Sequence, residues 1–166
     1  MKSTNTRKKI IALLIIIISF FILNAFWLVH HYALFGKYEK ITKDPSVPGA
    51  YISPKDDLTF SVSKIRYLNF GGNLGISDPE KGIYLIIWPH LFKDYEYGFM
   101  IMAKNETYNY YIDENGKLLN GDLFSEEALN TFKTNNKEVL FLINEYNQWK
   151  LAAEKNDKTF LFYHLS

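Results

Sequence analysis

The chain has 166 residues, enough for one ordinary domain with an added segment, and it contains no cysteine. Hydrophobic residues make up 48% and aromatic residues 17% of the chain, which excludes a collagen-like or disordered protein, and the missing cysteines exclude a disulfide scaffold and any cysteine-ligated metal cluster. The formal net charge of +1 argues against a protein that binds nucleic acid.

An uncharged apolar run occupies residues 10–29, and its only polar members are Ser19 and Asn24. A helix of this length is about 30 Å long, which matches the hydrocarbon core of a bilayer. We therefore predict a single transmembrane helix at residues 10–29, with the lipid bilayer as its partner. Because the leader, residues 1–9, is basic and has no acidic residue, we expect it to stay in the cytoplasm.

Two other interpretations of the apolar run are a cleaved signal peptide and a buried core helix. A signal peptide has a shorter apolar core that ends at small residues, whereas this run ends with the bulky residues Phe26, Trp27 and Leu28. A core helix seldom has twenty uncharged residues behind a basic leader. We therefore favour an uncleaved, single-pass signal anchor in the cell membrane, with His30 and His31 at the membrane edge.

The charge balance changes once the leader and the apolar run are set aside. Residues 30–166 contain 15 of the 19 basic residues and all 18 acidic residues, which gives a net charge of −3 and disfavours a polyanionic partner. The abundance of Ile, Lys, Asn, Phe and Tyr is typical of AT-rich bacterial genomes. In layout the chain resembles the small signal-anchored surface proteins of low-GC Gram-positive bacteria, which implies an extracytoplasmic domain in the cell envelope.

Residues 30–57 are predicted to form a juxtamembrane stalk, because Pro45, Pro48 and Pro54 prevent a continuous helix. The extracytoplasmic domain is predicted over residues 58–166. In the first half of this domain, apolar residues either alternate with polar ones or form short continuous runs, and each such segment has the length of a strand. This pattern predicts an antiparallel β-meander. Asn115-Gly116 predicts a two-residue type I′ turn. The predicted strands are residues 58–70 with a bulge or turn at 63–64, then 82–88, 97–103, 107–113 and 117–119.

The periodicity becomes helical after Ser125, which is a predicted N-cap. Residues 139–149 have the apolar spacing of an amphipathic helix, and a strand over residues 139–143 is the alternative. Residues 159–165 are predicted to form a last strand. The fold class is therefore α+β, with an N-terminal single transmembrane helix followed by a small domain with an antiparallel β-meander and C-terminal helices. The predicted core consists of Phe60, Val62, Leu85, Ile87, Phe99, Ile101, Leu142 and Trp149, and we expect the domain to fold from about Asp57 without the anchor.

The sequence has no pattern of catalysis or of cofactor or metal binding. The four histidines, His30, His31, His90 and His164, lack the spacing of a ligand set. Gly71-Gly72 is not part of a phosphate-binding motif, and no Gly-x-Ser-x-Gly elbow is present. We therefore predict no catalytic, cofactor-binding or metal-binding residue, and no enzyme activity.

An aromatic segment joins two strongly apolar strands and is the predicted contact site for an envelope protein or peptide. Its candidate contact residues are Trp88, His90, Phe92, Tyr95 and Tyr97. The alternative is that Trp88 and Phe92 pack onto the core. The expected function is that of a membrane-anchored extracytoplasmic binding or accessory protein. The alternative function is an envelope hydrolase that acts on wall polymers or peptides through carboxylates such as Asp56, Asp57 or Asp94.

The basic leader makes the orientation testable. Protease added to cells whose wall it can cross should digest the domain and leave residues 1–9 protected, because positive charge stays on the cytoplasmic side. Immunoblots against a tag at each end of the chain report both results. A protected domain with a digested leader would contradict the predicted orientation.

Overall fold

The structure is a computed structural model that describes residues 2–42, 50–55, 57–64, 67–68, 71–90, 95–103, 106–119 and 121–165. At residues 2–6, 51, 53 and 157–165 it describes the backbone alone. A 3-10 turn at Gly121–Leu123 precedes the second helix. In chain order the helices and strands are α1 Lys2–Glu39, β1 Ala50–Lys55, β2 Leu58–Ser63, β3 Leu74–Asp78, β4 Ile83–Pro89, β5 Tyr95–Met102, β6 Thr107–Ile112, α2 Glu126–Thr134 and α3 Asn136–Leu165.

The six strands form one antiparallel sheet in the order of the chain, β1 to β6. The predicted α+β fold with an antiparallel meander is confirmed. In β2, β3 and β4 buried and half-buried residues alternate, because successive side chains of a strand point to opposite faces. The buried face carries the core and packs against the helices. No described helix covers the other face, which we call the open face.

The core lies between the buried face of the sheet and the helices. All eight predicted core residues are buried, so alternation and helical spacing identified them correctly. The predicted N-cap is also confirmed, because the Ser125 hydroxyl accepts a hydrogen bond of 3.2 Å from the Ala128 N–H. Residues 139–149 are helical, so the alternative strand at residues 139–143 is wrong.

The predicted strand list omits β3, and it extends β2 past Ser63, whereas Tyr67 and Leu68 form a turn. The predicted strand at residues 117–119 contributes only an isolated bridge between Leu118 and Ile112.

Three further expectations about local structure are wrong. The first is the strand at residues 159–165, which belongs to α3. Residues 136–165 contain neither Gly nor Pro, and adding residues to an existing helix costs little compared with starting one. The second is the stalk at residues 30–57, because Ala50–Lys55 pairs along its full length with β2. Pro54 is tolerated there because β1 is an edge strand.

The third wrong expectation is the type I′ turn, which requires positive φ at two residues. Among residues 113–117, all of which the structure describes, only Gly116 has a positive φ, of 81°. The Gly116 N–H donates to the Asp113 carbonyl at 3.0 Å, and the Asp113 N–H donates to the Lys117 carbonyl at 2.9 Å. This is the pattern of a three-residue loop with a G1 bulge, in which one left-handed glycine is sufficient.

The last turns of α1 are part of the domain core. Phe35 and Tyr38 are completely buried, and the Tyr38 ring packs edge-on against Trp149 with centroids 4.8 Å apart. The Tyr38 hydroxyl donates to the Tyr146 hydroxyl at 3.4 Å. Burial and the neighbouring Tyr38 raise the pKa of the Tyr146 hydroxyl, so this pair stays neutral at physiological pH. A Lys37–Glu154 ion pair of 3.2 Å joins the same two helices.

The packing of α1 into the core replaces the expectation that the domain folds from Asp57 onward. We expect a fragment of residues 57–166 to lose cooperative unfolding, because it lacks β1 and exposes the surface that Phe35 and Tyr38 cover. A fragment of residues 30–166 should unfold cooperatively in urea. In that fragment Phe35→Ala should lower the free energy of unfolding by about 3–5 kcal/mol.

Tyr32→Ala is the matched control, because Tyr32 is an exposed aromatic residue of the same helix. Its effect on the free energy of unfolding should stay within about 0.5 kcal/mol. Equal stability of the two fragments would contradict the role of α1 in the core.

Candidate binding cleft

A cleft of about 650 Å³ lies at the end of the sheet where β5 begins and β6 ends. Its walls combine tyrosine rings and aliphatic side chains with three carboxylates. The lining residues are Tyr95, Glu96, Tyr97, Tyr111, Ile112, Asp113, Glu114, Asn115 and Leu119. A concave surface with apolar walls and a few polar groups is the usual form of a ligand or peptide site.

Two tyrosines of β5 are held in this cleft by the helices behind the sheet. The Tyr95 ring stacks on Phe35 of α1 with centroids 6.0 Å apart, and its hydroxyl donates to the Leu34 carbonyl at 3.5 Å. The Tyr97 ring packs edge-on against Tyr146 of α3 at 5.9 Å. Both rings are half-buried, so one side is fixed by the core and the rest faces the cleft. This part of the cleft is therefore rigid.

The turn after β6 forms the acidic wall. The Asp113 carboxylate accepts hydrogen bonds of 2.9 Å from the N–H groups of Asn115 and Lys117. These bonds close the turn, which gives Asp113 a structural role. Beyond the turn, Leu118 forms a bridge with Ile112, and Leu119 follows it into the cleft. The two cleft carboxylates outside this turn network are the exposed Glu114 and the half-buried Glu96, whose carboxylate lies 3.6 Å from His90 Nε2.

A tryptophan on the open face extends this aromatic surface. Trp88 is paired with Glu96 in the register of β4 and β5, so both lie on the open face. A Cβ atom built at Gly98 would lie 2.5 Å from the Trp88 ring, so only glycine lets the indole come this close to the β5 backbone. The rings of Trp88 and Tyr111 have centroids 6.5 Å apart. Trp88 thus connects the open face with the cleft.

The structure gathers four of the five predicted contact residues around the cleft. Tyr95 and Tyr97 line it, and Trp88 lies beside its Tyr111 wall. The His90 Nε2 lies 3.6 Å from the carboxylate of Glu96, and the His30 ring donates to the His90 carbonyl at 3.1 Å. Phe92 lies outside the described residues. The alternative in which Trp88 packs onto the core is wrong, because Trp88 lies on the opposite face of β4 from Ile87.

Sequence reasoning did not include Tyr111, Glu114 and Leu119 in the site. They come from the second half of the β5–β6 hairpin and the segment after it, which the sequence separates from Trp88 by more than twenty residues. The signal that could have located Tyr111 is the alternation along β6. Tyr108 and Tyr110 share one strand face there, and Tyr111 must take the other.

The carboxylates proposed for hydrolysis do not meet in this cleft. Asp57 lies in the turn between β1 and β2, at the opposite end of the sheet. Asp56 and Asp94 lie outside the described residues. Among the residues that the structure describes, no group of three or more histidines and acids is arranged to hold a metal ion.

Comparison with protein-family models, with curated proteins and with solved structures finds no match to this chain. The chemistry of the cleft and of α1 is therefore the basis for a functional proposal.

The contact between Trp88 and Gly98 gives a test of the aromatic surface. In Gly98→Ala the added methyl group should displace the Trp88 ring, because no side chain fits beneath it. When the three tryptophans are replaced by fluorotryptophan, the spectrum has three fluorine NMR resonances, and the one from Trp88 should shift in Gly98→Ala. The Trp88→Phe variant assigns that resonance, because it removes it from the spectrum.

Gly121→Ala is the matched control for this experiment. A Cβ at Gly121 meets its nearest neighbours at 3.5 and 3.8 Å, which are ordinary contact distances, so all three resonances should stay in place. An unmoved Trp88 resonance in Gly98→Ala would contradict the described contact.

Proposed function

We propose that this protein is a membrane-anchored extracytoplasmic binding or accessory protein of the bacterial cell envelope. In this proposal α1 crosses the cell membrane once, the N-terminus lies in the cytoplasm, and the domain lies outside. The cleft between β5 and β6 holds a segment of an envelope protein or peptide, and the protein acts by binding without catalysis. The observation that carries the proposal is an exposed apolar helix whose last turns form part of the core behind that cleft.

The surface of α1 supports the membrane anchor. Among the described residues, Arg7–Glu39 is a helix long and apolar enough to cross a bilayer. Its 18-residue apolar window has a mean hydropathy of 2.8, and only 6% of that window is buried in the structure. A core helix of the domain would bury these side chains, whereas residues 10–18 are exposed on all sides of the helix. Lipid would cover this surface, which is costly to leave in water.

The attachment of α1 to the domain favours an anchor over a cleaved signal sequence. Phe35 and Tyr38 are completely buried, and the same helix continues without a break from Lys2 to Glu39. Cleavage after residue 29 would cut a helix whose next residues, His30 and His31, contact the domain at His90 and Gly72. The uncut helix is therefore the form that the domain structure supports.

The chemistry of the cleft supports a peptide partner that carries both apolar and basic side chains. Tyrosine rings bury large areas with few rotatable bonds, and they are typical anchors of protein interfaces. Glu96 and Glu114 would attract a lysine or arginine of the partner, in agreement with the net charge of −3 over residues 30–166. The envelope hydrolase is less well supported, since Asp113 closes the turn and Asp57 lies elsewhere.

Site-specific photocrosslinking of the intact protein in cell membranes tests the proposed partner. Benzoylphenylalanine in place of Tyr111 should give a defined adduct with another envelope protein or peptide. The matched control carries it in place of Leu123, which is 78% exposed and lies outside the cleft, and should give none. The change Glu96→Gln with Glu114→Gln should weaken the adduct, whereas Glu127→Gln, at an exposed acid of α2, should not.

Two results would contradict this proposal. Equal adducts from positions 111 and 123 would show that the cleft does not select a partner. Release of products from peptidoglycan or a peptide by the purified protein, lost in Glu96→Gln, would favour the hydrolase.

A further inference from the structure

The loop between β2 and β3 runs along α1 toward its N-terminal end. Gly72, near the end of the loop that leads into β3, lies against the ring of His31. A Cβ atom at Gly72 would overlap that ring. The Leu68 N–H donates to the Asn24 side-chain oxygen at 3.2 Å. One residue earlier, the Tyr67 ring stacks on the Phe21 ring with centroids 6.2 Å apart and planes 10° from parallel. The loop therefore contacts α1 at three levels.

These contacts place the tip of the loop at the level of the apolar run. The ten residues from His31 to Phe21 correspond to about 15 Å along a helix. Phe21 lies eight residues before the end of the run at residue 29, so the Tyr67 ring lies about 12 Å below the predicted outer boundary. The loop tip and the membrane-spanning segment share the same stretch of α1.

The length of α1 below the loop contacts is too short to cross a bilayer alone. Residues 10–20 precede Phe21 and follow the basic leader, and eleven helical residues span about 17 Å. The hydrocarbon core is about 30 Å thick. If α1 crosses the membrane, the level of Phe21 and Asn24 must therefore lie inside lipid, together with the loop residues that contact them.

The side chains at the loop tip are suited to lipid. Tyr67 and Leu68 are each 53% exposed, although both carry large apolar surfaces. They continue the exposed apolar surface of the helix next to them, which includes Phe20, Phe21 and Leu23. The tyrosine ring has a large apolar surface that acyl chains can cover.

Asn24 offsets part of the polar cost of bringing a loop to this depth, although its own Nδ2 is buried without a hydrogen-bond partner among the described residues. It is one of two polar residues in the apolar run, and its side chain is completely buried. An unpaired backbone N–H is costly in hydrocarbon, because no water is present there to accept its hydrogen bond. The Asn24 oxygen accepts the Leu68 N–H, and the φ of 62° at Leu68 marks a tight left-handed turn. The polar residue in the helix thus has a partner in the loop.

We propose that the tip of the β2–β3 loop, Tyr67 and Leu68, inserts into the outer leaflet of the membrane that α1 crosses. This inference rests on the proposed membrane anchor. The helix and the loop would then hold the domain against the bilayer at two points, and so fix its orientation. Lipid is the occupant that we assign, because residues 10–23 of α1, which reach from the basic leader to the loop contacts, are exposed on all sides of the helix, whereas a second protein would cover one face.

The absence of cysteine allows a direct test with single nitroxide spin labels on the full chain. The protein is reconstituted in vesicles of equal parts phosphatidylcholine and phosphatidylglycerol. Labels at Tyr67→Cys and Leu68→Cys should be accessible to oxygen and shielded from a water-soluble nickel chelate. Ile16→Cys, in the apolar run, is the lipid control. Glu80→Cys, in the exposed turn between β3 and β4, is the water control.

Three results would overturn the inference. If labels at positions 67 and 68 behave like the label at 80 while the label at 16 is shielded from the chelate, the loop stays in water and the anchor stands. If the label at 16 is also open to the chelate, both proposals fail. In the third result, labels at positions 67 and 68 are shielded from both oxygen and the chelate. Their spectra are also broadened by nearby labels, and dilution with unlabelled protein removes the broadening. A second copy of the protein would then cover the tip.

A variant of the helix tests the role of Asn24 separately. Asn24→Leu removes the acceptor of the Leu68 N–H, so the label at position 67 should become several-fold more accessible to the nickel chelate. Ser19→Leu is the matched control, because Ser19 is the other polar residue of the run and is exposed. An unchanged label at position 67 in Asn24→Leu would overturn the role assigned to Asn24.

Discussion

The packing of α1 into the domain core is the interaction on which the rest of the structure depends. Phe35 and Tyr38 are completely buried, Phe35 against Tyr95 of β5 and Tyr38 against Tyr146 and Trp149 of α3. Burying two large aromatic side chains contributes several kcal/mol, by order of magnitude. The same helix is apolar and exposed from residue 10 to residue 18. One continuous helix therefore belongs to the core at one end, while its other end has a surface suited to lipid. A flexible stalk would uncouple these two environments.

This coupling also sets the position of the candidate cleft. Tyr95 stacks on Phe35, and His30 donates to the His90 carbonyl, so the start of β5 is joined directly to α1. If α1 crosses the membrane, the cleft faces the space close to the outer leaflet. A partner that binds there would itself be near the membrane. A binding protein placed in this way would be suited to segments of neighbouring envelope proteins.

Local patterns predicted most of the fold because local physics decides it. Alternation along Leu58–Ser63 and the N-cap at Ser125 depend on residues near in sequence, and both are observed. The strand at residues 159–165 was wrong, because the apolar and aromatic residues there suit either structure and an upstream helix extends through them. Strand β1 was missed because its pairing with β2 outweighs the unfavourable Pro54. Strand β3 was missed because its glycine-rich start favours a loop, whereas Leu74–Asp78 pairs with a strand on each side.

By itself, the sequence determined the apolar helix, the meander, the α+β class and the eight core residues, because charge, hydropathy and periodicity are properties of neighbouring residues. Only the tertiary structure decided which side chains meet. Tyr111 and Glu114 join Tyr95 because the β5–β6 register brings them together, and Asn24 meets Leu68 because the β2–β3 loop runs along α1. Such contacts depend on strand register and helix packing over many residues, and no local pattern contains them.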